Sequence, residues 1–190
     1  MKIKVVGVDP STSNFGIALA AVDIETGEFD VEDLILICTE PETKKGVRKD
    51  SDDLRRAKIV HDGFIAACEG RSFVMAEIPY CDPRGYAGAN FNSGLVTGVL
   101  AGCPLPLIQV FPQESKQLFV GSRHAAKEEM IEEAMRRFPT APWLMRKLKG
   151  RMVPTKANEH LSDAVAAINA GIKSTQFQEA IAMFKAMKAA

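Results

Sequence analysis

Three carboxylates in this chain stand where carboxylates are expensive. Asp9 ends the apolar run Val5-Val6-Gly7-Val8, and Glu77 lies near the end of Phe73-Val74-Met75-Ala76-Glu77-Ile78-Pro79. Asp163 lies beside the apolar face that Leu161, Ala164, Val165, Ile168 and Ile172 would form on a late helix. Such a group costs free energy unless it is paired or ligated. Each has a plain alternative: Asp9 before Pro10 can cap a turn, and Asp163 with His160 one turn earlier can be a surface ion pair. Together, three like charges drawn toward one core repel unless a cation lies between them, and a divalent ion is the economical solution. Oxygen donors favour magnesium or manganese over zinc. Two such ions could activate a water and stabilise the leaving oxygen of a phosphodiester displacement.

The elements that must position these groups follow from the residue pattern. Val5 to Val8 and Asn14 to Val22 read as two antiparallel strands joined by the turn formers Pro10, Ser11, Ser13 and Asn14. Glu25 to Glu28 is a hairpin turn, Leu34 to Cys38 a third strand, and Glu40 to Ser51 a loop. A helix follows from Asp52, with Leu54, Ala57, Ile59, Val60, Phe64, Ile65 and Ala67 at helical spacing and Gly70 as its stop. Beyond the Glu77 strand come a Gly-rich loop (Tyr80 to Asn92), a helix (Ser93 to Cys103) and a strand (Leu105 to Phe111), implying a right-handed parallel crossover. A short helical turn follows from Gln113 to Phe119, and then a helix capped by Ser122 and running to Phe138. Pro139, Pro142, Gly150 and Pro154 block regular structure in the next segment. Helices over Ala157–Ile172 and from Ser174 onward complete the chain.

The charge balance is neutral, 24 basic residues against 24 acidic, but uneven. No acid occurs from Met135 to Asn158, a stretch holding Arg136, Arg137, Arg146, Lys147, Lys149, Arg151 and Lys156. A neutral total can hide one positive face, the footprint of a phosphate-backbone partner, although a solvated basic loop has the same composition. Cys38, Cys68, Cys81 and Cys103 lack metal-ligand spacing and read as free thiols in a reducing cytosol. No signal-peptide pattern and no membrane-length apolar run is present, so a cytoplasmic protein is expected.

In order and context, Val5 to Pro10, Ala76-Glu77 and His160-Leu161-Ser162-Asp163-Ala164-Val165-Ala166 resemble the RuvC-type Holliday junction resolvases of the RNase H-like superfamily. Val110-Phe111-Pro112 with Lys116 and Gly121, then Ala126-Lys127, add to the likeness, which covers roughly residues 3 to 172. It implies an α/β, RNase H-like fold whose mixed five-stranded sheet has three antiparallel strands and then parallel crossovers, with residues 1–172 as nuclease domain and 173–190 as a helical extension. It also implies a homodimeric endonuclease, host- or phage-encoded, that nicks both opposed strands of a four-way DNA junction with two magnesium or manganese ions and no organic cofactor. The metal ligands would be Asp9, Glu77 and Asp163, with His160 as a further ligand or a proton handler and Glu159 as a lesser candidate. Tyr80 would help to prise open bases, Lys116 and Lys127 would bind the backbone, and Lys127 could also neutralise transition-state charge. Arg84, Arg123, Arg146, Lys147, Lys149 and Arg151 complete the expected DNA contacts. A broader nuclease for branched DNA or RNA/DNA hybrids is the related alternative. A different class, the actin and sugar-kinase type of nucleotide-binding module, shares a strand ending in Asp with Ser and Thr after it. That class needs a second Asp-Gly phosphate loop and about twice this length, and no P-loop is present either.

Overall fold

The computed structural model describes residues 1–79, 84 and 86–189. Strands β1 (Lys2–Asp9), β2 (Asn14–Asp23) and β3 (Phe29–Cys38) form an antiparallel meander. β4 (Phe73–Glu77) and β5 (Leu107–Val110) extend it by parallel pairing, giving the order β3-β2-β1-β4-β5. This is the mixed five-stranded sheet expected. β3 begins five residues earlier than its apolar run, because an edge strand can carry Asp30, Glu32 and Asp33 toward solvent.

Alternation along β1 fills two cores. Val6 and Val8 join Phe15, Ile17, Val60 and Phe64 on the side covered by helices α1 (Lys49–Cys68) and α2 (Ala87–Ala101). Val5 joins Met75, Leu161, Val165 and Ile168 on the other. That second side carries α3 (Pro112–Val120), α4 (Lys127–Arg137), α5 (Asn158–Gly171) and α6 (Thr175–Ala189). α6 adds Phe177 and Ile181 to this core, with the Phe177 ring 5.5 Å from Phe73.

Four expectations change. α1 starts at Lys49, and its buried stripe is not apolar throughout: Asp52, Asp53 and Arg56 are covered, whereas Leu54 is 69% exposed. α2 starts at Ala87, inside the supposed loop. Ser122 does not cap α4, which begins at Lys127 with the Glu129 carboxylate accepting from the Ala126 N–H at 2.7 Å; the Ser122 hydroxyl accepts from the His124 N–H instead. The acid-free segment contains a hairpin, β6 (Met145–Leu148) and β7 (Arg151–Pro154). Its prolines flank or end the strands, and Lys149 and Gly150 at φ 47° and 82° supply the left-handed turn that closes a two-residue hairpin.

Candidate active site

β1 and β4 are parallel neighbours with Val8 beside Ala76, so the next residues, Asp9 and Glu77, leave the sheet side by side on one face. Their strands are about 5 Å apart, and the carboxyl ends of such strands border the crevice of an open α/β sheet. Two glycines show which helix covers that face. A Cβ on Gly7, two residues before Asp9, would overlap the Ala164 carbonyl oxygen and crowd Ile168. A Cβ on Gly16, paired across from Asp9, would overlap the His160 carbonyl. α5 therefore rests backbone against backbone on β1 and β2, which brings His160 and Asp163 to Asp9.

His160 Nδ1 lies 2.7 Å from Asp9 Oδ2, and its Nε2 lies 3.4 Å from Glu159 Oε1. Lys127 Nζ donates to the same Glu159 oxygen at 2.9 Å. Lys127, Glu159, His160 and Asp9 thus form a line of alternating charge along the cleft. The hydrogen bond to Asp9 holds the His160 imidazole above its ordinary range, outweighing burial. The bond to Glu159 likewise raises the Lys127 ammonium.

The two deeper carboxyls have no such relief. Burial, then the charges of Asp163 and Asp9, push Glu77 up to about 8. Burial and Asp9 push Asp163 up to about 7. Lys116, whose Nζ donates to the Ala125 carbonyl at 3.3 Å, opposes both rises without cancelling them. Ser115, fully buried, turns its hydroxyl toward Glu77, yet Ser115 Oγ reaches no partner in hydrogen-bond geometry.

This chemistry fits a divalent cation. Clustered carboxyls held protonated by one another, with a buried hydroxyl left over, would all be satisfied by positive charge and its water. Among the described residues, no three acidic, imidazole or thiol groups already lie at ligand spacing. His160 engages an Asp9 oxygen that a cation would also use.

The other expected residues are distributed more widely. Lys116 and Lys127 border the carboxylates. Arg123 is exposed in the connection between α3 and α4, and Arg84 is exposed before α2. Arg146, Lys147, Lys149 and Arg151 lie on the β6–β7 hairpin, all exposed. Tyr80 lies outside the described residues.

Two supports escaped the sequence reading. Arg56 is 6% exposed and donates to the Thr39 hydroxyl and to the Ser13 hydroxyl, each at 2.9 Å. Thr39 in turn donates to the Thr12 carbonyl, so the turn after Asp9 is pinned from below. The signal was present: Asp53, Arg56, Val60 and Phe64 fall on one helical stripe. Asn158 is the second, tied by both amide atoms to Leu144 at the root of the hairpin.

Comparison with known proteins agrees with this geometry. No family model matches the sequence. The crossover junction endodeoxyribonuclease RuvC of Synechococcus sp. (strain CC9311) is 25% identical over 142 residues, covering 70% of this chain and 83% of the relative. The RuvC of Prochlorococcus marinus (strain MIT 9303) is 26% identical over 138 residues, covering 70% of this chain and 82% of its own. The chain is a RuvC homologue. Its fold agrees: T. thermophilus RuvC in complex with a Holliday junction substrate superposes with a TM-score of 0.59 at 17% identity, covering 94% of this chain and 97% of the other. A second Thermus thermophilus RuvC structure gives 0.56 at 19% identity, covering 96% of each. The RNase H-like sheet expected from the sequence is therefore the sheet observed. Among the described residues of this RuvC homologue, no helix is long and apolar enough to cross a membrane.

Proposed function

We propose that this protein is a divalent-metal-dependent endonuclease that nicks four-way DNA junctions, acting as a homodimer. The observation that carries the reading is the raised carboxyl pair, Glu77 and Asp163, beside Asp9 in a RuvC-type fold. Asp9, Glu77 and Asp163 would hold magnesium or manganese as two ions, with His160 and Glu159 at the rim. The ions would supply an activated water and charge for the leaving oxygen. His160, bonded to Asp9, is poised to hold or move a proton at Nδ1. Lys127 offers its charge to the scissile phosphate, and Lys116 steadies the carboxyls. Tyr80, Arg84 and Arg123 would meet the DNA around this cleft.

A second copy finds a suitable face on α2. Phe91 is 51% exposed there, and Cβ atoms added at Gly94 or Gly98 would meet nothing within 4 Å. Those glycines do not serve packing among the described residues, which favours a contact across the dimer. Light scattering on Gly98→Arg tests this, with a monomer expected.

The test of the activity compares junction, flap, duplex and RNA/DNA-hybrid substrates with and without magnesium. Paired nicks on the junction that require magnesium are expected. Equal cutting of all four substrates would replace the reading with a broad nuclease, and no cutting of any would overturn it.

A further inference from the structure

The β6–β7 ribbon differs from every other element. All of its residues are exposed except half-buried Val153, and Met145, Leu148 and Met152 are 40%, 47% and 61% exposed. A two-stranded hairpin with both faces in water draws little stability from itself. Its root is nevertheless fixed. Asn158, fully buried, accepts from the Leu144 N–H and donates to the Leu144 carbonyl, both at 2.9 Å. The Thr155 N–H donates to that same carbonyl at 2.9 Å. Because Asn158 is the first residue of α5, the ribbon is rooted on the helix that carries His160 and Asp163.

Its charge is one-signed. Arg146, Lys147, Lys149 and Arg151 fall within six positions, and none makes an ion pair among the described residues. Elsewhere surface bases find acids, as in Lys2 with Asp30, Arg136 with Glu133 and Lys185 with Glu25. Register sets Arg146 opposite Val153 and Leu148 opposite Arg151 on one face, with Lys147 opposite Met152 on the other. Each face thus mixes cations with apolar side chains. A protein core would reject the cations, and a solvated loop has no use for Leu148 and Met152. A DNA groove accepts both, with phosphates at its walls and base edges at its floor, and the major groove is wide enough for a two-stranded ribbon.

We propose that the β6–β7 ribbon enters the major groove of one duplex arm, and that Asn158 holds this grip in fixed register with α5. Arm and carboxylates are then positioned as one body. The inference rests on the nuclease reading and deepens it by naming where an arm is held.

The test uses the full chain and a synthetic four-way junction without magnesium. Titrations over a salt series give the slope of log Kd against log salt, and guanine methylation interference reports contact at N7 in the major groove. Replacing Arg146, Lys147, Lys149 and Arg151 together by Gln is expected to reduce the slope by about 3 to 4, as four lost phosphate contacts would. It should also erase an interference patch within an arm. Asn158→Ala keeps the four charges, so the slope should stay while the patch becomes diffuse. Asn158→Asp, which retains the acceptor for the Leu144 N–H, should partly restore it, and serves in its place if the Ala variant does not fold. An unchanged slope and patch in the Gln variant overturn the proposal and leave the ribbon to an acidic protein partner. A reduced slope with no N7 interference in the wild type overturns the groove placement, and a sharp patch in both Asn158 variants overturns the coupling. Failure of the wild type to bind any junction would sink the nuclease reading itself.

Discussion

Two covered clusters of charge lie on opposite sides of the turn after Asp9, and they have opposite fates. Below it, Asp52 accepts from the Glu42 N–H at 3.0 Å and from Arg55, and is held below the ordinary carboxylate range, first by that N–H. Arg56 beside it serves two hydroxyls and lies 3.8 Å from Asp53. Above the turn, Glu77 and Asp163 face other acids and are driven up to about 8 and about 7. The residue types are the same, and what differs is whether the chain itself supplies the counter-charge. A covered carboxylate with its own partners serves the fold. One left facing other carboxylates is waiting for something from outside.

The sharpest way to break this contrast is to remove the waiting charge. Asp9→Asn, Glu77→Gln and Asp163→Asn should each lower magnesium-dependent nicking by about a thousandfold or more, the several kcal/mol that metal-held reacting oxygens contribute. Junction binding should stay largely intact, and a single-turnover assay beside a binding titration checks both. On the other side, Arg56→Leu orphans the Thr39 and Ser13 hydroxyls and leaves Asp53 without its nearest cation. A loss of about 3 kcal/mol is expected from urea unfolding. A loss below about 1 kcal/mol would mean that the lower cluster is not held by its pairing.

The next effect has the opposite sign. Glu77 and Asp163 titrate near 4 when unfolded and well above that when folded, so across the interval the folded state binds more protons. The penalty is absent below about pH 4, and metal-free stability falls as pH rises from there through the two folded values. Thermal melts in chelator should show a decline between pH 5 and 8. Glu77→Gln should remove much of it and stabilise the metal-free protein at pH 8 by about 1 to 3 kcal/mol. Magnesium should raise the wild-type melting temperature at pH 8 and leave that of the variant nearly unmoved. A flat melting temperature from pH 5 to 8 would refute the frustrated cluster. The smallest effect belongs to Ser115→Ala, which deletes a hydroxyl without a partner. It should cost less than about 1 kcal/mol in urea, and a larger loss would mean that the hydroxyl is satisfied after all.

The chemistry-bearing carboxylates were readable because each interrupts an apolar run, and an interruption of that kind is costly unless it is used. Strand order followed from turn chemistry and from a strand, helix and strand in succession. Other features depend on contacts that one-dimensional patterns do not carry. The hairpin was hidden because Pro142 and Pro154 read as breakers, whereas they bracket strands of four residues. The cap of α4 was misassigned because Ala126 has no capping side chain, and Glu129 reaches back in its stead. Arg56 went unread because a charged residue on a helix is ordinarily solvated, and only the strand end beneath it makes this one different.

The backbone contact between α5 and the sheet carries one more consequence. Most spacings inside a protein are set by side chains, and a sequence can drift through alternative fillings that keep the same volume. Here bare peptide at Gly7 and Gly16 meets bare peptide at Ala164 and His160. The gap that an ion must bridge is therefore measured by a ruler without adjustable parts. Every substitution at those two glycines lengthens it, so tuning toward a larger or smaller ion is left to the loops and to the rim.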